Sequence, residues 1–247
     1  VEVFALLGEA VAEVPVVNGS LARVDVEPVG GSFTAGVPFT TNLRGWDAWD
    51  NVYSWPTSGV GVDLSDTTGT LNPAMASLDS TGEGSLTASV TSSGSGIRIS
   101  ASQLGVVVGT SRDLTVAPAA MVGFLIEVDP WVDSAVEGEV LVAATDAYGN
   151  RITNYSGTVT VEPDGVGCDS ITLSSFSGGE QRAALPCGSP VLQEVLRGSD
   201  TLGYRGESAA FDILDFACAD GPVAAIEIDG TTEAIACLLA GEVTVAA

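Results

Sequence analysis

A strand-like stretch recurs three times in this chain at a period close to 100 residues, and that period sets the size of the folding unit. The first copy is Leu21-Ala22-Arg23-Val24-Asp25-Val26-Glu27-Pro28, with Val24 and Val26 on one face and charge on the other. The second is Phe124-Leu125-Ile126-Glu127-Val128-Asp129-Pro130; Pro28 to Pro130 and Val26 to Val128 are both 102 positions apart, and Ala35-Gly36 matches Glu137-Gly138 at the same offset. A third copy, Ala225-Ile226-Glu227-Ile228-Asp229-Gly230, puts Ile228 100 positions beyond Val128. Alternation with period two marks each copy as a half-buried strand. A turn repeats with them: Asp146-Ala147-Tyr148-Gly149-Asn150 is echoed at Asp47-Ala48-Trp49-Asp50-Asn51. Asp at the first position and Gly at the fourth suit a type I turn, because the carboxylate accepts local N–H bonds and Gly takes positive φ. Asp50 stands in the Gly place of the first copy.

Between these markers, short apolar alternations predict further strands at 37–44, 60–64, 85–90, 96–100 and 112–116 in the first repeat. In the second they predict strands at 139–145, 158–162, 170–173, 182–185, 192–196 and 208–213. No run keeps a helical period, and turn residues interrupt the pattern about every 8 to 12 positions, as a β-sandwich of about seven strands in roughly 100 residues requires. Residues 1–17 read as strand material, and Gly8-Glu9 resembles Gly206-Glu207 ahead of the last strand of the second repeat. The expected organisation is therefore a closing strand at 1–17, full modules at 18–118 and 119–216, and the opening strands of a third module at 217–247. The two partial ends need completion by neighbouring modules, along a longer polypeptide or from another subunit by strand addition.

The charge is one-sided: 32 acidic residues face 8 basic ones, all arginine, for a net charge of -24. Such a chain repels phosphate backbones and anionic lipid, which argues against nucleic-acid partners and membrane docking. The longest apolar run, from Ala119 to Ile126, is far shorter than the about 20 residues of a bilayer span. Histidine is absent, which removes the commonest general base and transition-metal ligand. Carboxylate-pair chemistry remains open in principle, but no spacing singles out a pair. Four cysteines fall into two pairs, Cys168 with Cys187 and Cys218 with Cys237, each nineteen positions apart. Local even spacing without a Cys-x-x-Cys motif predicts two disulfides, paired locally, in an oxidising compartment.

The repeat resembles tandem bacterial immunoglobulin-like domains of the kind found in invasin- and intimin-type adhesins and other large surface proteins. The residues that carry the resemblance are the Ala-Gly or Glu-Gly before the second strand, Thr145-Asp146-Ala147-Tyr148-Gly149-Asn150, and Tyr155-Ser156-Gly157-Thr158-Val159-Thr160-Val161. The resemblance implies an all-β fold of tandem immunoglobulin-like sandwiches, two complete and two partial, on the cell surface or outside the cell. It implies a non-catalytic stalk, sheath, filament or adhesive unit, with neighbouring modules or subunits of the same protein as partners and a surface glycan or protein as a further ligand. The alternative is the accessory, carbohydrate-binding region of a secreted enzyme.

Two groups of residues are candidates for sites. Trp46, Trp49, Tyr53 and Trp55 crowd one turn and the stretch after it, where aromatic rings either stack on sugars or fill the core and the module ends. Asp47, Asp50 and Asn51, with Asp146 and Asn150, offer hard oxygen ligands for calcium, although turn formation explains them without metal and the spacing is not that of the twelve-residue calcium loop. No other cofactor is expected. Asn18-Gly19-Ser20 and Asn154-Tyr155-Ser156 fit the glycosylation pattern and read as turns.

Overall fold

The computed structural model describes residues 18–54 and 59–215, with the backbone of a short hairpin at Glu227–Ile228 and Thr231–Thr232. The expected strand at 1–17, Trp55 and the Cys218/Cys237 pair lie outside the described residues. The chain separates into two compact units, Val1–Ala119 and Ala120–Ala247. Among the described residues there is no helix.

The first unit contains β1 (Arg23–Pro28), β2 (Phe33–Thr34), β3 (Phe39–Trp46), β4 (Val60–Asp66) and β5 (Met75–Leu78). It continues with β6 (Glu83–Ala88), β7 (Gly94–Ile97), β8 (Ile99–Gln103), β9 (Val106–Thr110) and β10 (Leu114–Ala117). One sheet has the order β1-β3-β6, all antiparallel. Two further sets run β5-β4-β8-β9 and β2-β10-β7, the chain passing directly from β7 to β8 and from β9 to β10, and β2 pairs with β10 in parallel. The first strand thus switches sheets part way, and the last strand returns beside it. That is the topology of an immunoglobulin-like sandwich. Alternate residues of each strand meet between the sheets: Val24, Val26, Leu43, Val62, Leu64, Leu78, Ile99, Leu114 and Val116 form the core.

The second unit repeats this order with β11 (Met121–Val128), β12 (Trp131–Asp133), β13 (Gly138–Asp146), β14 (Val159–Pro163) and β15 (Ile171–Leu173). Then come β16 (Glu180–Leu185), β17 (Val191–Glu194), β18 (Leu196–Asp200), β19 (Arg205–Glu207) and β20 (Phe211–Leu214). β13 lies between β11 and β16, β18 between β14 and β19, and β20 between β12 and β17, with β12 again parallel. Its core is Phe124, Ile126, Val140, Val142, Val159, Val161, Leu173, Leu185, Leu196, Phe211 and Ile213.

Several expectations need correction. The strands expected over 96–100 and 192–196 are each divided between two sheets, with breaks at Arg98 and Val195 where β7 gives way to β8 and β17 to β18. The strand expected over 208–213 is broken: the buried Ser208 accepts the Leu196 N–H at 3.0 Å through its hydroxyl and donates to the Ala209 carbonyl. Ser111 does the same between Ile99 and Arg112, so a hydroxyl inserted into the ladder bends the last strand of both units. A further correction concerns the offset of the repeat. Val24 pairs with Gly45 and Phe124 with Ala144, each two residues before the Asp of the turn, so Val24 corresponds to Phe124 and Pro28 to Val128. Pro28 and Pro130 are therefore not equivalent, nor are Ala35-Gly36 and Glu137-Gly138. Ala35 donates to Ala117, and its counterpart is Ser134, which donates to Leu214. A two-residue shift leaves the inward face inward, so alternation alone does not detect it.

Candidate functional site

Where β3 and β13 end, the chain turns on a single carboxylate. Asp146 Oδ1 accepts the N–H groups of Tyr148 and Asn150 at 2.9 Å each, and Oδ2 accepts the Asn150 amide at 2.8 Å. Asp47 Oδ1 accepts from Trp49 and Asn51 at 2.9 Å, while Oδ2 takes the Asn51 amide and the Gly19 N–H at 3.0 Å each. Gly149 closes its turn at φ 80° and Asp50 at φ 61°, a conformation that Asp tolerates better than most residues. The same device recurs at positions that the repeat did not mark. Asp66, Asp79 and Asp200 each accept the N–H groups two and four residues on, and each is followed at the fourth position by a Gly of positive φ: Gly69, Gly82 and Gly203.

These bonds set the electrostatics. Burial pushes the Asp47 carboxyl up, but the Asn51 amide and the backbone N–H groups of Gly19, Asn51 and Trp49 outweigh it and hold the group at about 2. The Thr81 hydroxyl and the Thr81 and Glu83 backbone amides lower Asp79, and Arg98 lowers Asp113. Burial and the Asp200 carboxylate, which accepts the Tyr155 hydroxyl at 3.1 Å, raise the Tyr155 phenol.

The oxygen atoms of Asp47 are therefore engaged by its own turn and by Gly19. Asp50 points elsewhere, to Arg23 at 3.1 Å. Asp146 and Asn150 belong to the second unit and bond each other. Among the described residues no group of three or more His, Cys, Asp or Glu side chains converges as a metal site.

The aromatic group is split. Tyr53, in the loop after β3, is buried. Trp46 lies on the outer face of the β1-β3-β6 sheet, where its indole N–H donates to Asp25 at 2.6 Å. The Arg23 and Arg44 guanidiniums sit 5.0 and 4.8 Å from its ring centroid. It walls a shallow polar groove with Asp25, Asn42, Arg44, Glu83 and Ser85. Trp49 is 75% exposed, its ring lying against Gly19. Trp46 and Trp49 are thus engaged differently, and no shared face is formed by Trp46, Trp49 and Tyr53.

In the second unit Cys168 and Cys187 are bonded to each other. Beside them is a residue that pattern reading missed: Glu194, only 2% exposed, accepts Gly165 N–H at 2.7 Å and Gly167 N–H at 3.2 Å.

Fold and turns together define an immunoglobulin-like all-β chain in which the same strand order is built twice. No protein-family model and no curated protein sequence matches it. Solved structures similar to it include the adhesin InvE of Yersinia pseudotuberculosis, at 16% identity and TM-score 0.36 over 83% of this chain and 62% of that one. The Escherichia coli adhesin FdeC aligns at 17% identity and TM-score 0.41 over 81% of this chain and 66% of that one. A beta-glycosidase from Bacteroides vulgatus aligns at 14% identity and TM-score 0.35, over 77% of this chain and 25% of that one. The chain spans less than two thirds of the length of either adhesin structure.

Proposed function

We propose that this chain is a non-catalytic structural and adhesive segment of an extracellular or cell-surface protein, with immunoglobulin-like modules at 18–118 and 119–216 serving as spacers in a tandem array. One observation carries this reading. The buried carboxylates Asp47, Asp66, Asp146 and Glu194 all serve as acceptors for backbone N–H groups. Such acids hold loops and are poor candidates for proton transfer, and the chain has no histidine to replace them. In the proposed array the segments 1–17 and 217–247 belong to adjoining modules, a second local disulfide joins Cys218 to Cys237, and the chain's partners are neighbouring modules and a surface protein or glycan. No helix among the described residues is long and apolar enough to cross a membrane. The competing carbohydrate-binding reading requires an exposed face shared by Trp46, Trp49 and Trp55, and Trp46 is already engaged by Asp25 and two arginines.

Antibodies raised against residues 18–215 should label intact, unpermeabilised source cells. Labelling only after lysis would overturn the surface assignment. Stretching the chain between a bead and a surface should give two separate unfolding events, each releasing about 100 residues at roughly 3.5 Å per residue. A single event would contradict independent spacer modules.

A further inference from the structure

The cystine and the buried Glu194 belong to one arrangement, and the first unit shows what takes its place when both are missing. Glu194 pairs with Phe211 on β20 as Ile97 pairs with Leu114 on β10, so Glu194 occupies a core position that the first unit gives to isoleucine. The Asp169 N–H to Pro186 carbonyl bond beside the cystine corresponds to the Asn72 N–H to Ser89 carbonyl bond of 2.9 Å, so Cys168 and Cys187 stand where the first unit places the buried pair Leu71 and Val90. In the first unit the loop after β4 is pinned by Asp66, the last residue of β4, which accepts Thr70 and Leu71 N–H.

In the second unit the loop donors and the charge are on different elements. Gly165 and Gly167 belong to the loop, while Glu194 stays on β17 in the core. The fit is close: a Cβ on Gly165 would come within 2.7 Å of a Glu194 oxygen, and one on Gly167 would collide with Ile213. Opening the loop strips the carboxylate of its two loop donors and leaves the Val195 N–H at 3.4 Å. A buried carboxylate left with that one long hydrogen bond is poorly satisfied, so water must follow. The Gly167 carbonyl accepts Gly188 N–H at 3.0 Å and the Pro186 carbonyl accepts Asp169 N–H at 2.8 Å, bonds that flank the cystine and depend on the same closure. Cys168 and Cys187 are largely buried, but they are among the residues lining a surface groove with Ser134, Val136, Val166 and Ser189, the side from which a small thiol would approach.

We propose that Cys168–Cys187 is a thiol-cleavable latch: its reduction frees the 164–168 loop, admits water to Glu194 and opens that end of the second unit while the rest of the sandwich stays folded. The reductant is a small dithiol. One of its thiolates attacks a cystine sulfur, forming a mixed disulfide and releasing one cysteine thiolate; its second thiolate then closes on the first sulfur. The dithiol leaves as a cyclic disulfide, and the protein gains two electrons and two protons as two cysteine thiols.

The test is amide hydrogen exchange on the full chain carrying Cys218→Ser and Cys237→Ser, so that one cysteine pair responds, with and without excess dithiothreitol. Closing a ring of this size restrains the loop enough that Gly165 and Gly167 amides should exchange roughly a hundredfold faster once reduced. The Thr70 and Leu71 amides should not change. In a Glu194→Ile variant the Gly165 and Gly167 amides, deprived of their acceptor, should exchange fast before reduction as well, whereas the Val195 and Leu196 amides should lose most of their acceleration on reduction. A change below about threefold at Gly165 and Gly167 would overturn the latch. So would equal acceleration throughout 159–214, since the bond would then be a general staple of the whole unit.

Discussion

Replacing Thr41 by valine should stabilise the first unit. Thr41 is 1% exposed on the inner face of β3, and its hydroxyl has no hydrogen-bond partner among the described residues. The second unit gives the requirement of the site directly. Thr41 pairs with Pro28 as Val140 pairs with Val128, so Val140, fully buried, is the residue in the same place. The two side chains have nearly the same shape, and the substitution removes a donor and acceptor that lost their water without gaining a partner. An unmade buried hydrogen bond costs about 1–3 kcal/mol, and about 1 kcal/mol moves the midpoint of a unit this size by roughly 4–8 °C. Calorimetry of the full chain should therefore show one transition rising by about 5 °C or more, and Trp fluorescence, dominated by Trp46, Trp49 and Trp55, should move with it. The reciprocal change, Val140→Thr, should lower the other transition by a similar amount. An unchanged or lowered midpoint for Thr41→Val would mean that the hydroxyl is satisfied in solution, and the reasoning would fail.

Gly82 and Gly179 have φ of 77° and 81°, and a Cβ on either would collide with a backbone carbonyl, of Tyr53 or Ile152; alanine at either should cost more than about 2 kcal/mol in urea titrations. Gly149 has similar φ but open space around it, so Gly149→Asp, the residue type at position 50, should cost less than about 1 kcal/mol; equal losses at Gly149 and Gly179 would show that strain rather than collision decides. Because the folded-state value of Asp47 lies below its ordinary 3.8, its contribution is present above that value and lost as pH falls from 3.8 towards about 2. Acid titration should destabilise the first unit across that window, less steeply in Asp47→Asn; identical curves would remove Asp47 as a cause. With a net charge of -24, raising sodium chloride from about 0.02 to 1 M shortens the screening length to roughly 3 Å, and the melting temperature should rise. A fall would mean that the surface ion pairs outweigh self-repulsion.

Strand positions and turn chemistry were legible wherever a local rule operates. Val24 and Val26 alternate inward because a strand has period two, and Asp146 caps its turn because a carboxylate reaches N–H groups two and four residues on. The same signal was available at Asp66-Thr67-Thr68-Gly69, Asp79-Ser80-Thr81-Gly82 and Asp200-Thr201-Leu202-Gly203, where Asp and Gly keep the spacing of Asp146 and Gly149. Strands β5 and β9 were less legible, since Met75, Val106 and Val107 are exposed and break the alternation. Glu194 could not be read from pattern. Gln193 has φ of 60°, and the pairing of β17 with β20 is irregular between Val191 and Glu194, so the phase of the strand changes and turns a charged residue inward. The donors that make this tolerable come from Gly165 and Gly167, almost thirty positions earlier.

The acids of this chain do two kinds of work, and composition alone does not separate them. Exposed carboxylates face arginines: Asp25 and Asp50 at Arg23, Asp113 at Arg98, Glu180 at Arg151, Glu139 at Arg182, and Asp164 with Glu207 at Arg197. Such pairs are worth about 0–1 kcal/mol each, so they distribute charge more than they hold the fold. Arg112 has a different role, donating to the carbonyls of Pro28 and Gly30 beneath its contact with Phe33. The acids that matter to the architecture have no cation beside them: Asp66 and Glu194 are buried and accept only backbone and hydroxyl donors. A loop between two sheets has unsatisfied N–H groups as its main difficulty, and a carboxylate satisfies several at once. A chain without lysine or histidine can therefore fold its turns well, because what those turns require is acceptors rather than counter-charges.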